Sequence, residues 1–162
     1  MSSTEPIAMS DFSIHEYGIR EVSPESVLNY GLALLTIAAA DGEVATAELQ
    51  WLLDHQRRFG APAEILDQYQ SFVPHGVDLA DLLRTVRVDS DSWQGNRHLL
   101  YHAVQMASAD GDFHEAERAR LMEAAALLGV TDDIVHALIA LIALERSVTT
   151  LRQSLFGLPD LP

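Results

Sequence analysis

Apolar residues recur at helical spacing along most of this chain, in blocks separated by Asp-Gly, Gly or Pro signals. Ser23-Pro24-Glu25 reads as a helix start: Ser as N-cap, Pro in the first helical position and an acid in the first turn. The helix that follows is expected to run to about Ala40, with Leu28, Leu32, Leu35 and Ala39 on one stripe, and to end at Asp41-Gly42. Further helices are predicted from about Thr46 to Phe59 and, after Pro62, to about Phe72. Pro74-His75-Gly76 reads as a turn, and Asp78 caps a short helix to about Arg87. The next helix begins near Ser92, carries Leu99, Leu100, Ala103, Val104 and Met106, and stops at Asp110-Gly111. Another spans about Glu115 to Leu128, and Thr131-Asp132-Asp133 opens a long last one reaching about Ser154. No stretch alternates with a period of two, so no strand is predicted. The expected fold is all-α, with an N-terminal arm over residues 1–22, one helical domain over 23–156 and a tail over 157–162.

The pattern occurs twice. Ala40-Asp41-Gly42 lies six residues ahead of Glu48, and Ala109-Asp110-Gly111 six ahead of Glu117, at a constant offset of 69 positions. At the same offset Ala38 answers Ala107, Leu52 answers Leu121, Gly60 answers Gly129 and Ile65 answers Ile134, with no gap. A turn signal, an acid and an apolar ladder repeated in one register mark an internal duplication. The domain is therefore expected to contain two pseudo-repeated helix–turn–helix units.

Gly-to-Glu spacing of six matches the second half of an EF-hand calcium loop, in which Gly turns the chain and a carboxylate closes on the ion. The first half is missing. Its ligand positions would be Ile37 and Ala39 in one copy and Met106 and Ser108 in the other, and none supplies a carboxylate. A structural reading covers the same residues. The Asp turns the chain, and Glu48 and Glu117 fold back onto the next helix as capping acids, worth about 0.5–2 kcal/mol each. Ala45 and His114, three residues earlier, are not the Ser or Thr such a box prefers.

The doubled helix, Ala-Asp-Gly, helix-with-Glu arrangement resembles the TerB family, named for tellurite resistance, whose domain is shared with the N-terminal part of a membrane-anchored DnaJ-type co-chaperone. The resemblance covers about residues 24–155. It implies a domain of about seven helices and an acidic cluster that binds a divalent metal (Ca, Mg, Mn or Zn). The implied role lies in a stress response with metal or membrane partners. Matched position by position, the implied ligands are Asp41, Glu48, Asp110 and Glu117. Ala45 and His114 depart from the small hydroxyl residue often found there in the family.

Charge and composition narrow the field. Twenty-four acidic against ten basic residues give a net charge of −14, which argues against nucleic acid and anionic lipid and suits cations or a basic protein partner. With no cysteine there is no disulfide, thiolate metal site or cysteine nucleophile, which fits a cytoplasmic protein. Met1–Met9 lacks the basic start and apolar stretch of a signal peptide. The apolar runs at Leu32–Ala40 and Ile134–Leu144 are too short to span a bilayer.

Additional candidate ligands lie in the second copy. Asp110, Asp112, Glu115 and Glu117 put four carboxylates within eight residues, whose mutual repulsion a hard cation relieves. His98 and His102, at i and i+4, have the spacing of a zinc pair and lie near His114 and Asp110 in sequence, against a plain reading as solvated helix positions. His55 and the other histidines look solitary, and Trp51 and Trp93 read as packing residues. No nucleophile elbow or phosphate loop is present, so no enzymatic activity is expected. The leading readings are a cation-binding domain and a protein-interaction module whose acids only shape turns and caps, with a metal-dependent hydrolase as the third.

Overall fold

The computed structural model describes residues 5–86, 95–109, 111 and 113–159. Asp110 and Asp112, together with Arg87, Ser92 and Trp93, lie outside the described residues. Within them are eight α-helices: α1 (Asp11–Tyr17), α2 (Pro24–Ala38), α3 (Thr46–Phe59), α4 (Ala63–Ser71), α5 (Leu79–Thr85), α6 (Gly95–Ala107), α7 (Glu115–Leu127) and α8 (Asp132–Phe156). A 3₁₀ turn, Ala39–Asp41, follows α2. The fold is all-α, as the apolar periodicity predicts.

Local chemistry accounts for the helix starts. The Ser23 hydroxyl accepts from the Ser26 N–H at 3.2 Å and Pro24 fills the first helical position. The Asp78 carboxylate accepts from the Ala80 N–H at 2.8 Å and starts α5. The N-terminal residues hold more structure than expected. Strands β1 (Ile7–Ala8) and β2 (Glu21–Val22) pair antiparallel, Ile7 with Val22 and Ala8 with Glu21, around α1. Two residues per strand are too few to carry an alternation, which is why no period-2 signal exists. The Ser10 N–H donates to the Phe59 carbonyl at 2.9 Å and ties this segment to the end of α3.

The middle of the bundle is α2, which packs on α3, α4, α5, α6 and α7. Ala33, Leu34, Leu35, Ile37 and Ala38 are buried, covering consecutive positions all round the helix. Leu28, Leu32 and Ala39 are only partly buried, so the single expected stripe is not the core face. A helix apolar on every side belongs in an interior.

The duplication extends further than two helices. Ala38 ends α2 and Ala107 ends α6; Thr46 starts α3 and Glu115 starts α7; Ala63 starts α4 and Asp132 starts α8, each pair 69 apart. Leu52 and Leu121, equivalent in this register, are both fully buried. Beyond the repeat, α8 continues to Phe156. At 25 residues, with an 18-residue window of mean hydropathy 1.6, it is long and apolar enough by length and composition to cross a membrane, unlike the shorter apolar run expected there.

Candidate functional site

The two turn glycines are held the same way. Gly42 and Gly111 have φ of 118° and 98°, the left-handed region that glycine enters without steric cost. Their N–H groups donate back to the Ala39 carbonyl at 3.0 Å and the Ser108 carbonyl at 3.2 Å. The exposed Asp41 accepts from the Glu43 N–H at 3.4 Å. The chain then extends through Ala45 (φ −64°, ψ 149°) and His114 (φ −66°, ψ 152°), the N-caps of α3 and α7.

The two glutamates are buried, each 2% exposed. Glu48 Oε2 accepts from the Ala45 N–H at 2.7 Å, and Glu117 Oε2 accepts from the His114 N–H at 2.8 Å. Neither cap side chain bonds to the helix in return. Each motif is thus half of a capping box, and the half made by the acid satisfies a backbone donor that the helix start leaves open. Ile37 and Met106, at EF-hand ligand positions, are core residues. The Ser108 hydroxyl donates to the Val104 carbonyl of its own helix at 2.7 Å. From α8, Arg146 Nη2 donates to the Ser108 carbonyl at 2.7 Å, immediately before the second turn. The 3₁₀ turn carrying Asp41 packs against α7, the helix that Glu117 helps to open.

A second cluster went unseen in the sequence. His102, on α6, is buried, and both its ring nitrogens are engaged: Nδ1 with the Tyr30 hydroxyl at 2.6 Å and Nε2 with the Tyr17 hydroxyl at 3.2 Å. His55 is not solitary. It stacks on Trp51 with centroids 4.6 Å apart and meets the His102 ring edge-on at 4.2 Å. Burial, aided by Arg58, pulls the His55 pKa down to about 3; burial with His55 and His98 nearby holds that of His102 well below its usual value. Burial raises Tyr30. In sequence only the i, i+4 pairs Trp51–His55 and His98–His102 hint at this cluster, since α1, α2, α3 and α6 bring its members together. A cavity of about 40 Å³ adjoins it, lined by Tyr30, His55, His102, Val22 and Phe59 among others, and has room for water but not for an organic ligand.

A family model described as "Tellurite resistance protein TerB" matches residues 32–140. The chain belongs to the TerB family. No curated protein matches the chain. Among solved structures, a tellurite resistance protein from Nostoc punctiforme PCC 73102, determined at 1.85 Å, is similar with a TM-score of 0.75. It is 24% identical, and the match covers 93% of this chain and 92% of that one, which establishes the TerB fold.

For the metal that the TerB resemblance implies, the described residues give a divided result. Glu48 and Glu117 supply the oxygen donors a hard cation takes, from matching places in the two copies. Among the described residues, however, no three His, Asp or Glu side chains converge as a ligand set, and Asp110 and Asp112 lie outside them. Of the expected His98–His102 pair, His102 is turned to two tyrosines. The Tyr30 and Tyr17 hydroxyls engage both ring nitrogens, Nδ1 and Nε2. His114 serves as the exposed N-cap of α7.

Proposed function

We propose that this TerB domain is a non-enzymatic, cytoplasmic binder of a divalent cation, acting in tellurite or metal stress, with Asp41, Glu48, Asp110 and Glu117 as ligands. The observation that carries this reading is the packing of the first Asp-Gly turn on α7, with Glu48 and Glu117 buried at equivalent positions. Buried carboxylates lose hydration, and a hard cation with oxygen ligands offsets that loss. A basic or membrane-associated protein partner suits the net charge of −14.

Titration calorimetry with Ca²⁺, Mg²⁺, Mn²⁺ and Zn²⁺ tests it. Heat from one of these ions is expected with the wild type, and at least tenfold weaker binding with Asp110→Asn. No heat with any ion, or the same affinity in the variant, rejects the cation reading.

A second reading has its own observation: each glutamate already has a structural task, accepting from the N-cap N–H. On that reading the acids shape the turns of a protein-interaction module. A hollow of about 340 Å³ beside the first turn, lined by Val44, Leu49, Phe72 and Pro74 among others, offers it a surface. Asp41→Asn would then lower thermal stability and leave every metal titration flat.

A further inference from the structure

The last helix is longer than the repeat requires. The first copy's third helix, α4, spans Ala63–Ser71, and its equivalent 69 positions on spans residues 132–140. Residues 141–156 of α8 therefore have no counterpart in the first copy. The added stretch has two distinct sides. One continues the face that carries Val135 and Ile142 into the core, and it is tied down where the Tyr101 hydroxyl donates to Glu145 Oε2 at 2.6 Å and Arg146 reaches Ser108. On the other side Leu141, Leu144, Val148, Leu151 and Leu155, followed by Leu158 just past the Gly157 cap, are between 41% and 68% exposed.

The five on the helix follow one another at intervals of 3, 4, 3 and 4, the heptad seam of a coiled coil, and Leu158 lies beyond the helix end. At 3.6 residues per turn the seam centres about 140° from Ile142, so the bundle body lies behind it and leaves it open to a partner. Polar residues flank it, Glu145 and Arg152 on one side and Ser147 and Ser154 on the other. A narrow apolar stripe whose surroundings are mostly polar, the exposed Phe156 at the helix end excepted, suits a helix partner, whereas a lipid-facing helix is apolar over most of its circumference.

Charge selects the occupant and its direction. Glu145 and Arg152 stand one heptad apart on the same flank of the seam. In an antiparallel pair of identical helices that flank faces itself, and with Val148 packed on Leu151 of a second copy, Glu145 lies opposite Arg152 of that copy, and the reverse. A parallel pair would set Ser147 against Arg152 and Ala140 against Glu145, with no ion pair. Residues 141–159 carry one acid and two bases in a chain of net charge −14, so like-charge repulsion between copies is relieved along the seam. Anchoring in the bundle also pre-forms the helix, which removes the nucleation cost that makes short isolated coiled coils unstable.

We propose that residues 141–156 pair with the same residues of a second copy as an antiparallel two-helix coiled coil. Light scattering after size exclusion on the full chain tests this. The wild type is expected to be a dimer at micromolar concentration, and Leu144→Glu/Leu151→Glu a folded monomer with unchanged far-UV circular dichroism. Arg152→Glu, which sets two acids opposite each other twice per dimer, should raise the dimer dissociation constant about tenfold. Because the chain has no cysteine, Ala137→Cys gives a single spin label. Antiparallel pairing puts the two labels about 37 Å apart along the axis, and parallel pairing sets them side by side at about 10 Å. A monomer at every concentration, a dimer unaffected by Leu144→Glu/Leu151→Glu, or the short label distance overturns the proposal. So does flotation of the wild type with phosphatidylcholine vesicles when the double variant stays in solution, because that result assigns the face to a membrane.

Discussion

The Tyr30 hydroxyl and His102 Nδ1 meet at 2.6 Å in the interior, with the other imidazole nitrogen engaged by Tyr17. A neutral imidazole has one donor and one acceptor nitrogen, which suits two tyrosine hydroxyls without leaving a buried group unmatched. Three helices (α1, α2 and α6) are joined through this one ring.

The cluster predicts an acid-labile fold. His55 and His102 stay neutral in the folded protein, with His55 down at about 3, whereas in the unfolded chain both titrate near 6.5. Above pH 6.5 neither state takes up a proton there, and their contribution is full. As pH falls below 6.5 the unfolded chain binds protons that the folded one refuses, so stability drops by up to about 1.4 kcal/mol per pH unit for each histidine. For His55 the loss ends near pH 3. Thermal melts from pH 8 to pH 5 should show this limb, and His55→Phe, which keeps a ring on Trp51, should flatten it relative to the wild type. Equal slopes in the two proteins would remove the histidines as its cause.

Gly31 gives a packing prediction. A Cβ there would meet the Tyr69 ring far inside contact distance, and that ring is buried, with its hydroxyl donating to the Val27 carbonyl. Gly31→Ala should therefore cost about 2 kcal/mol or more, because the buried ring must shift to admit the methyl. Gly42→Ala meets nothing within 4 Å and pays only for its positive φ, about 1 kcal/mol. Chemical denaturation of both variants ranks the two effects; the reverse order would contradict this packing.

The capping role predicts matched losses in the two copies. Glu48→Ala and Glu117→Ala should each lower stability by about 1–2 kcal/mol, since each strands the N–H of Ala45 or His114 at a helix start. The Gln variants keep an acceptor oxygen and should lose less. Melting temperatures of the four variants give the comparison, and an Ala variant as stable as its Gln partner would show that the bond contributes nothing.

Much of this fold was legible in the sequence because its signals are local. Ser23-Pro24, Asp78 and the Asp-Gly turns act within a few residues, so the helix boundaries from Pro24 onward followed from them. The repeat needed only a constant offset of 69, and it correctly paired Leu52 with Leu121 and Glu48 with Glu117. The glutamates' capping bonds were also foreseeable, three residues being within reach of one side chain. Strands β1 and β2 were not, because their two-residue pairing is specified by partners across α1.

The sequence by itself determined an all-α, internally duplicated, strongly acidic TerB domain with an acid placed to cap α3 and α7. Helix periodicity, caps and the repeat are short-range or in-register properties that one dimension can carry. Only the tertiary structure decided that α2 is buried all round, that Tyr17 and Tyr30 meet on His102, and that α8 turns a leucine seam to solvent. Those facts depend on which helices surround a given side chain, and burial of that kind is set by long-range packing.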